Sequence, residues 1–282
     1  MIELAPHNPY GLTIASPVIA AAGSLGDVVG VARWLGLQRS DADHGLGAII
    51  SSTVTMSGRR GKPQLLATPA GTLYHHGSFS LSVRQVRERL APRWATYHVP
   101  ILVSLAGPDA AAVASELNDT PGIAGFELAL PALTAVEAAQ RVSAVRQATV
   151  LPLLVRLPGE LPDPVAVTTA CAAAGADALA LIGGMPGCIS QPSGELVYGR
   201  LGGPAIFPIA LRIIASVATT VQVPVIGMGG VTTPAHAQAM LRAGARAVAL
   251  ASALVTDLRR GQAIAGSLRG EADRFDPDTF ST

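Results

Sequence analysis

Residues 223–254 read VPVIGMGGVTTPAHAQAMLRAGARAVALASAL and contain a complete strand–helix–strand unit. The apolar run PVIGMGG is followed by the amphipathic segment PAHAQAMLRAG and then by a second apolar run, AVALAS. Short apolar runs bounded by turn residues are typical of buried strands, and an amphipathic segment between them is typical of a crossover helix. The stretch therefore predicts one βα repeat of a parallel sheet.

The same pattern recurs along the chain. Eight apolar runs alternate with helical segments, and eight parallel strands close a barrel. The runs are VIAAAG from Val18, AIISSTV from Ala48, ILVSLA from Ile101, GFELAL from Gly125, PLLVRL from Pro152, ALALIG from Ala178, PVIGMGG from Pro224 and AVALAS from Ala247. The sequence predicts a single-domain (β/α)8 TIM barrel over residues 1–265 and a polar C-terminal tail over residues 266–282.

An open doubly wound sheet is the alternative fold. Its first turn would be AAAGSLGD, where Gly23 and Gly26 lack the third spaced glycine of a dinucleotide-binding motif. The segment between Thr55 and Pro100 is too long for a simple connection, so we expect part of it to form a substrate-side loop or a small hairpin. Both observations favour the barrel.

Composition limits the classes of partner. Of 282 residues, 49% are hydrophobic and 14% charged, and the net charge is +1, so the sequence offers no basic surface for nucleic acid. No apolar run approaches the length of a membrane span, and the start lacks a secretory signal. The two cysteines, Cys171 and Cys188, are too few for a disulfide framework. We therefore expect a cytoplasmic protein that binds a small molecule.

The last two predicted strands end in residues that suit a phosphate group. Gly229 and Gly230 follow the seventh strand, and Ala251 and Ser252 follow the eighth. Barrels commonly bind phosphate at this place through loop amides and a helix N-terminus. The alternative interpretation is that the paired glycines only form a tight turn.

Several motifs together resemble a known family. They are SPVIAAAGSLG, GAIISSTVT, RRGKPQLLATPAGTLYHHG, AGADALALIGG, LGGPAIFPIALR and, most strongly, VPVIGMGGVTTPAHAQAMLRAGARAVALASAL. The chain resembles the class 1 dihydroorotate dehydrogenases, which are FMN-dependent barrels that oxidise dihydroorotate to orotate. The resemblance implies FMN as cofactor, a small-molecule substrate, a homodimer and an electron-transfer partner subunit.

The resemblance also implies a set of cofactor-binding positions. A lysine of the family on the second strand is matched by Ser52, and the fifth-strand lysine that faces the flavin is matched by Arg156. Arginine keeps the charge but does not act as a base at accessible pH. The implied cofactor positions are Ala22, Gly23, Ser52, Arg156, Gly203, Gly229, Gly230, Ala251 and Ser252.

On the implied substrate side, long polar residues of the family are replaced by short ones. Ser80 and Ser104 stand where the family has asparagines. In the stretch GFELALPALT, Ala129 replaces an asparagine and Ala132 replaces the catalytic cysteine. Gly183 and its neighbour Gly184 replace an asparagine and a hydroxyl residue. These changes predict a diverged member with weak orotate recognition, because a site loses selectivity when its hydrogen-bonding partners are absent.

Proton carriers must then come from elsewhere. His75 and His76 lie in the loop that reaches over the substrate in the family, and histidine transfers protons near neutral pH. The alternative is a surface pair, and adjacent histidines do not have metal-ligand spacing, so no metal site is predicted. Cys188 lies after the sixth strand and is a further substrate-side candidate. The sole lysine, Lys62, lies in a loop, which argues against Schiff-base chemistry.

Other residues have mainly structural interpretations. The resemblance implies that Ala129 and Arg156 face the flavin, and side chains alternate along a strand, so Glu127 and Arg156 are expected on the inward side of neighbouring strands as a buried ion pair or hydrogen-bonded pair. Cys171 lies inside a helical segment and is predicted to pack in the core. Tyr198 and Arg200 border either a ligand or the surface.

Three functions remain open. The first is an FMN-dependent oxidoreductase that acts on a carbon–carbon bond next to a carbonyl in a substrate other than orotate, with His75, His76 or Arg156 in the catalytic site. The second is an inactive barrel paralogue that serves as a scaffold or binding subunit. The third is a genuine dihydroorotate dehydrogenase with a non-standard base.

Overall fold

The structure is a computed structural model that describes residues 1–69, 71–75 and 77–272. Its strands are, in chain order, β1 (Ile2–Glu3), β2 (Thr13–Ile14), β3 (Val18–Ala20), β4 (Ala48–Ile50), β5 (Val54–Thr55), β6 (Gln64–Thr68), β7 (Gly71–His75), β8 (Leu81–Ser82), β9 (Ile101–Ala106), β10 (Gly125–Ala129), β11 (Leu153–Leu157), β12 (Ala178–Leu181), β13 (Met185–Ser190), β14 (Leu196–Gly202), β15 (Val225–Met228) and β16 (Ala247–Leu250).

The helices lie mostly between consecutive barrel strands. They are α1 (Val29–Leu35), α2 (Val83–Gln85), a π-helical turn (Val86–Leu90), α3 (Ala91–Trp94), α4 (Ala110–Leu117), α5 (Ala135–Ala148), α6 (Pro164–Ala173), a 3-10 turn (Pro204–Ile206), α7 (Phe207–Ala218), α8 (Pro234–Arg242), α9 (Ser252–Thr256) and α10 (Arg259–Ala272).

Eight parallel strands close a barrel in the order β3, β4, β9, β10, β11, β12, β15 and β16, with β16 paired to β3. Each of these strands coincides with one of the predicted apolar runs, so the predicted (β/α)8 fold is confirmed. The runs are apolar throughout because helices cover their outer faces while side chains fill the interior.

Two hydrophobic clusters follow from this arrangement. The larger one lies between the strands and the helices. The smaller one fills the barrel interior and includes Ile19, Leu102 and Ile226. The hairpin of β1 and β2 adds Leu4 and Ile14 to the interior cluster, so it closes the end of the barrel opposite the strands' carboxyl ends. Function is thereby confined to the open, carboxyl end.

A four-stranded antiparallel sheet stands at that end. Its order is β13, β14, β7 and β6, and we call it the cap sheet. The hairpin of β6 and β7 lies within the long segment after Thr55, which confirms the predicted hairpin. The second hairpin, β13 with β14, follows β12 and pairs with the first through β14 and β7.

The predicted division between barrel and tail falls inside a helix. Helix α10 runs from Arg259 to Ala272, and its residues Ile264 and Ala265 are buried. Residues 273–282 lie outside the described part of the chain, so the division at residues 265 and 266 stays a prediction. Among the described residues, none of the helices is both long and apolar enough to span a membrane.

Candidate active site

A cavity of about 900 Å³ opens at the carboxyl ends of the barrel strands. Each of the eight strands, or the residues directly after it, contributes a side chain or backbone segment to its lining. These contributions include Ala21, Ser52, Ala106, Ala129, Arg156, Ile182, Met228 and Ala249. A volume of this size is typical of a site for a cofactor or a small molecule.

One end of the cavity is made of backbone. Gly203, Gly229 and Gly230 all have positive φ angles, of 99°, 102° and 76°. A Cβ atom on Gly230 would lie 2.7 Å from both the carbonyl oxygen of Gly203 and the amide nitrogen of Phe207. Glycine is therefore required here, because another residue would be strained and would also displace the neighbouring loop. Ser252 completes this end with a hydroxyl group.

The cavity brings together all nine residues that were predicted to bind the cofactor. Ala22, Gly23 and Ser52 line it from the first two barrel strands, whereas the glycines and Ser252 line it from β14, β15 and β16. The hydroxyl of Ser52 donates a hydrogen bond to the carbonyl oxygen of Gly26, at 3.0 Å. The nine residues thus share one cavity, and their contact with a cofactor stays a prediction.

A buried ion pair lies at the floor of the cavity, where Arg156 belongs to the lining formed by the described residues and Glu127 does not. The Nε atom of Arg156 on β11 donates to Oε2 of Glu127 on β10, at 3.2 Å, and the hydroxyl of Ser104 donates to the same oxygen, also at 3.2 Å. Glu127 is 1% exposed. The predicted pair is therefore confirmed. Ser104 is fully buried and does not belong to the cavity lining found among the described residues, so its predicted substrate contact has no geometric support.

Arg156 extends from this floor toward the neighbouring strand. A Cβ atom placed on Gly183 would lie 3.3 Å from Nη1 of Arg156, which is a tight contact. A side chain at position 183 would therefore require the end of the Arg156 side chain to shift slightly. The guanidinium group is the charged group that faces the cavity from the barrel floor.

The two residues Tyr74 and His75 point to opposite faces of β7. Thr72 and Tyr74 line the cavity, and side chains alternate along a strand, so His75 lies on the other face. Its Nδ1 atom is 2.8 Å from the carbonyl oxygen of Tyr198. The proton-transfer role of His75 stays a prediction that this orientation does not favour, and His76 lies outside the described residues.

Tyr74 is a cavity residue that the sequence analysis missed. Its hydroxyl lies 4.0 Å from the position that a Cβ atom on Gly23 would occupy, and Oγ of Ser52 lies 3.8 Å from that position. Burial raises the pKa of Tyr74 above its ordinary value, so the phenol is protonated at neutral pH. The only signal in the sequence was the two-residue spacing of Thr72 and Tyr74, which says that they share a face.

A second ion pair ties the cap sheet to the barrel. Nη1 and Nη2 of Arg200 on β14 donate to Oε1 and Oε2 of Glu160, at 2.5 and 2.7 Å. The hydrogen bonds from Arg200 lower the pKa of Glu160. Both residues line the cavity. Of the two positions predicted for Arg200, beside a ligand site or on the surface, the structure thus gives the one that borders the cavity.

Comparison with known proteins agrees with the geometry. Residues 6–269 match the dihydroorotate dehydrogenase family. This chain belongs to the dihydroorotate dehydrogenase family.

Among curated proteins, the chain is 34% identical to the dihydroorotate dehydrogenase B (NAD(+)), catalytic subunit, of Desulforudis audaxviator (strain MP104C), over 92% of this chain and 89% of that protein. The proteins of the same name from Pelobacter propionicus and Geobacter sulfurreducens are 32% and 31% identical. Those alignments cover 87% and 94% of this chain and 86% and 90% of the respective relatives.

The positions at which the resemblance implies a shorter side chain than in the family are spread around the cavity: Ser52 follows β4, Ala129 ends β10 and Gly183 follows β12. Ala129 ends β10 and lines the cavity with a methyl group, and Ala132, at the position of the family's catalytic cysteine, is exposed. Ser80 lines the cavity, and its hydroxyl is hydrogen-bonded to that of Thr55, at 2.8 Å. Divergence from the family's chemistry stays a prediction that these short side chains support.

The two cysteines have no part in this cavity. Cys188 lies exposed on β13, opposite Tyr198 in the cap sheet, and does not belong to the lining formed by the described residues. Cys171 is buried in α6, where burial raises the pKa of its thiol to about 12. Its predicted place in the core is confirmed, and its thiol stays protonated and unreactive.

Proposed function

We propose that this chain is an FMN-dependent oxidoreductase that oxidises or reduces a carbon–carbon bond next to a carbonyl group in a substrate other than orotate. The observation that carries the proposal is that one cavity combines a glycine-rich end, which suits a phosphate group, with short aliphatic residues at the ends of β9 and β10, beside which the charged Arg156 and Asp109 also line the cavity. Membership of the dihydroorotate dehydrogenase family supports FMN as the cofactor.

The residues at the glycine-rich end fit an FMN phosphate. The backbone of Gly203, Gly229 and Gly230 can approach an anion closely because no Cβ atom intervenes, and Ser252 offers a hydroxyl donor. Arg156 faces the cavity near Gly183 with a permanent positive charge, which suits an electron-rich ring. When bound, FMN supplies the group that accepts or donates a hydride.

The opposite end does not suit a polar anion such as orotate. Ala106, Ala129, Leu130 and Pro131 line it without a side-chain donor. A buried polar group left without a partner costs about 1–3 kcal/mol, so each unmatched oxygen or nitrogen of orotate would weaken binding. This lining supports a less polar substrate.

A proton must still be exchanged with the substrate carbon that does not exchange hydride. Tyr74 is suited to donate this proton, since its hydroxyl borders the cavity and is protonated at neutral pH. Glu160 is unsuitable because Arg200 keeps its carboxylate ionised. The geometry thus favours Oη of Tyr74 over His75 as the proton carrier.

The printed names of the relatives favour a second candidate, genuine dihydroorotate dehydrogenase activity with a non-standard base. Those relatives are named as catalytic subunits, which supports a partner subunit for electron transfer. A homodimer and a cytoplasmic location stay predictions.

Purified protein titrated with FMN tests the proposal, with flavin absorbance and fluorescence as the readouts. We expect stoichiometric binding and a yellow protein; a colourless protein that fails to bind added FMN would leave the inactive-paralogue alternative. Anaerobic addition of dihydroorotate then separates the two enzymatic candidates. Bleaching of the flavin would support dihydroorotate dehydrogenase activity, whereas an unchanged spectrum together with reoxidation of dithionite-reduced flavin by an enone would support the proposed reaction.

A further inference from the structure

The cavity extends past the barrel mouth into a pocket beside two helices. Helices α4 and α5 follow β9 and β10, and side chains from both helices belong to the cavity lining. We call this extension the outer lobe and define it by Pro108, Ala111, Leu130, Pro131, Ala144 and Val145. Alanine at positions 111 and 144 leaves space that a larger aliphatic side chain would fill.

The outer lobe lies across the barrel mouth from the glycine-rich end. In the closed order of eight strands, β9 is four places from β15, and β10 is four places from β16. A cofactor held at β15 and β16 reaches toward the barrel axis, where its reacting part would meet the substrate. The outer lobe is then free to hold parts of the substrate that do not react, an inference that rests on the proposed function.

The chemistry of the lobe is aliphatic. Its six defining residues carry no polar side-chain atom, and Leu130 and Val145 are 7% and 2% exposed. The two charged residues beside it, Asp109 and Arg141, have opposite signs, and Oδ2 of Asp109 already accepts a hydrogen bond from the amide of Met56, at 3.1 Å. Leu130 and Val145 therefore offer buried contact to apolar atoms, whereas Pro108, Pro131 and Ala144 lie at the exposed edge of the lobe, beside Arg141.

We propose that the outer lobe binds an uncharged aliphatic tail, and that the substrates of this enzyme are α,β-unsaturated carbonyl compounds, or their saturated counterparts, that carry such a tail. The carbonyl end lies over the barrel axis near Tyr74, and the tail passes between the loops after β9 and β10. Small alanines at the ends of both strands, Ala106 and Ala129, leave this passage open.

The test compares two enones that differ only in chain length, methyl propenyl ketone and methyl heptenyl ketone. Isothermal calorimetry measures their dissociation constants for the full chain, both with and without FMN. Each buried methylene contributes about fourfold in affinity, so we expect the longer ketone to bind at least about 30-fold more tightly. Equal affinities in a protein that is shown to bind FMN would overturn the proposal.

Two neighbouring alanines of α4 provide a matched pair of variants. Ala111 lines the outer lobe, whereas Ala112 is exposed and outside it. We expect Ala111→Leu to reduce the advantage of the longer ketone to a few-fold and Ala112→Leu to leave it unchanged. An equal effect of both variants, or no effect of Ala111→Leu, would refute the position of the tail. Ala144→Leu on α5 replaces Ala111→Leu if thermal unfolding shows that the latter does not fold.

FMN titration of the same variants separates this proposal from the proposed function. We expect FMN affinity to change less than about twofold in Ala111→Leu, because the lobe is across the mouth from the glycine-rich end. If neither the natural protein nor any variant binds FMN, the proposed FMN-dependent function is rejected. Calorimetry without FMN then still measures whether the longer ketone binds more tightly than the shorter one. If Ala111→Leu lost both FMN affinity and the preference for the longer ketone, the outer lobe and the glycine-rich end would not be separate sites, which would contradict the proposal.

Discussion

Gly229 and Gly230 follow β15 at one side of the barrel mouth, while Ala129 ends β10 at the opposite side. At the first side the lining is backbone held in positive φ, and the neighbouring loops leave no room for a Cβ atom on Gly230. At the second side the lining is short aliphatic side chains with space around them. One side is specified by backbone conformation and the other by side-chain identity.

This difference explains how the two sides can diverge separately. A backbone site needs only that glycine is kept where φ is positive, so its chemistry persists while the surrounding sequence changes. A side-chain site loses its chemistry through a few truncations that leave the fold intact, since each alanine is compatible with the same strand. The glycine-rich side of the mouth is thus fixed by backbone conformation, whereas the opposite side can change through single substitutions.

The first prediction tests whether the glycine-rich end depends on backbone conformation. Gly230→Ala places a Cβ atom 2.7 Å from the backbone of Gly203 and Phe207, at a φ of 76°. We expect FMN affinity to fall by about 100-fold, equivalent to about 3 kcal/mol of strain and displacement. Fluorescence titration with FMN gives the dissociation constant.

Gly266→Ala in α10 is its control, because a Cβ atom there meets nothing within 4 Å. Its FMN affinity should equal that of the natural protein. If Gly230→Ala bound FMN with unchanged affinity, the contrast between the two sides of the mouth would be lost.

The second prediction concerns the floor that both sides share. Glu127→Leu leaves Arg156 partly buried without its carboxylate, and we expect the free energy of unfolding to fall by about 2–3 kcal/mol. Urea denaturation without FMN measures this change. The double variant Glu127→Leu/Arg156→Leu should recover most of it, because no unpaired charge remains.

An exposed pair gives the comparison for that effect. Glu88→Gln removes the partner of Arg84 on the surface, and its effect should stay below about 0.5 kcal/mol. If Glu127→Leu and Glu88→Gln lowered the free energy of unfolding equally, burial of the pair of Glu127 and Arg156 would have no effect on stability.

The third prediction distinguishes the two faces of β7. Tyr74→Phe should slow the anaerobic reoxidation of dithionite-reduced flavin by methyl propenyl ketone about 10- to 100-fold, because the proton on Oη is lost. His75→Ala should change the rate less than about twofold, since its ring lies on the other face. Stopped-flow absorbance gives both rates, and the opposite ranking of the two variants would restore His75 as the proton carrier.

The fourth and smallest effect concerns the link between cap sheet and barrel. Arg200 lowers the pKa of Glu160 below its ordinary 4.5, so the pair stabilises the fold above about pH 4.5 and this contribution is lost as the pH falls through the lowered pKa. Both side chains are about a third exposed, and we expect Glu160→Gln to cost under about 1 kcal/mol at pH 7. The difference between the urea midpoints of the two proteins should be full at pH 7 and should shrink as the pH falls below about 4.5; a difference that does not shrink in acid would exclude this charge pair as its cause.

Local patterns in the sequence were sufficient for the barrel. Each strand is a short apolar run that helices bury from outside, so periodicity and turn residues located all eight without information from distant residues. The pair of Glu127 and Arg156 needed the family resemblance as well, which gave the inward face at Ala129 and Arg156, after which alternation along the strand placed Glu127 on the same side.

Contacts between distant segments could not be read in this way. The pair of Arg200 and Glu160 and the pairing of β14 with β7 join loops that follow different barrel strands, and neither loop carries a signal for the other. Tyr74 was missed for a related reason. The choice between Tyr74 and His75 depends on which face of β7 turns inward, and that face is set by the partner strand.

The cap sheet also has a mechanical consequence. Arg200 pairs with Tyr74 and Gly202 pairs with Thr72, so the strand that carries the tyrosine is hydrogen-bonded to the strand that leads into Gly203. A movement of either hairpin that opened the mouth would pull on the other, and would shift the phenol and the phosphate loop together. The cap sheet is therefore one hydrogen-bonded unit, which couples the position of Tyr74 to that of Gly203.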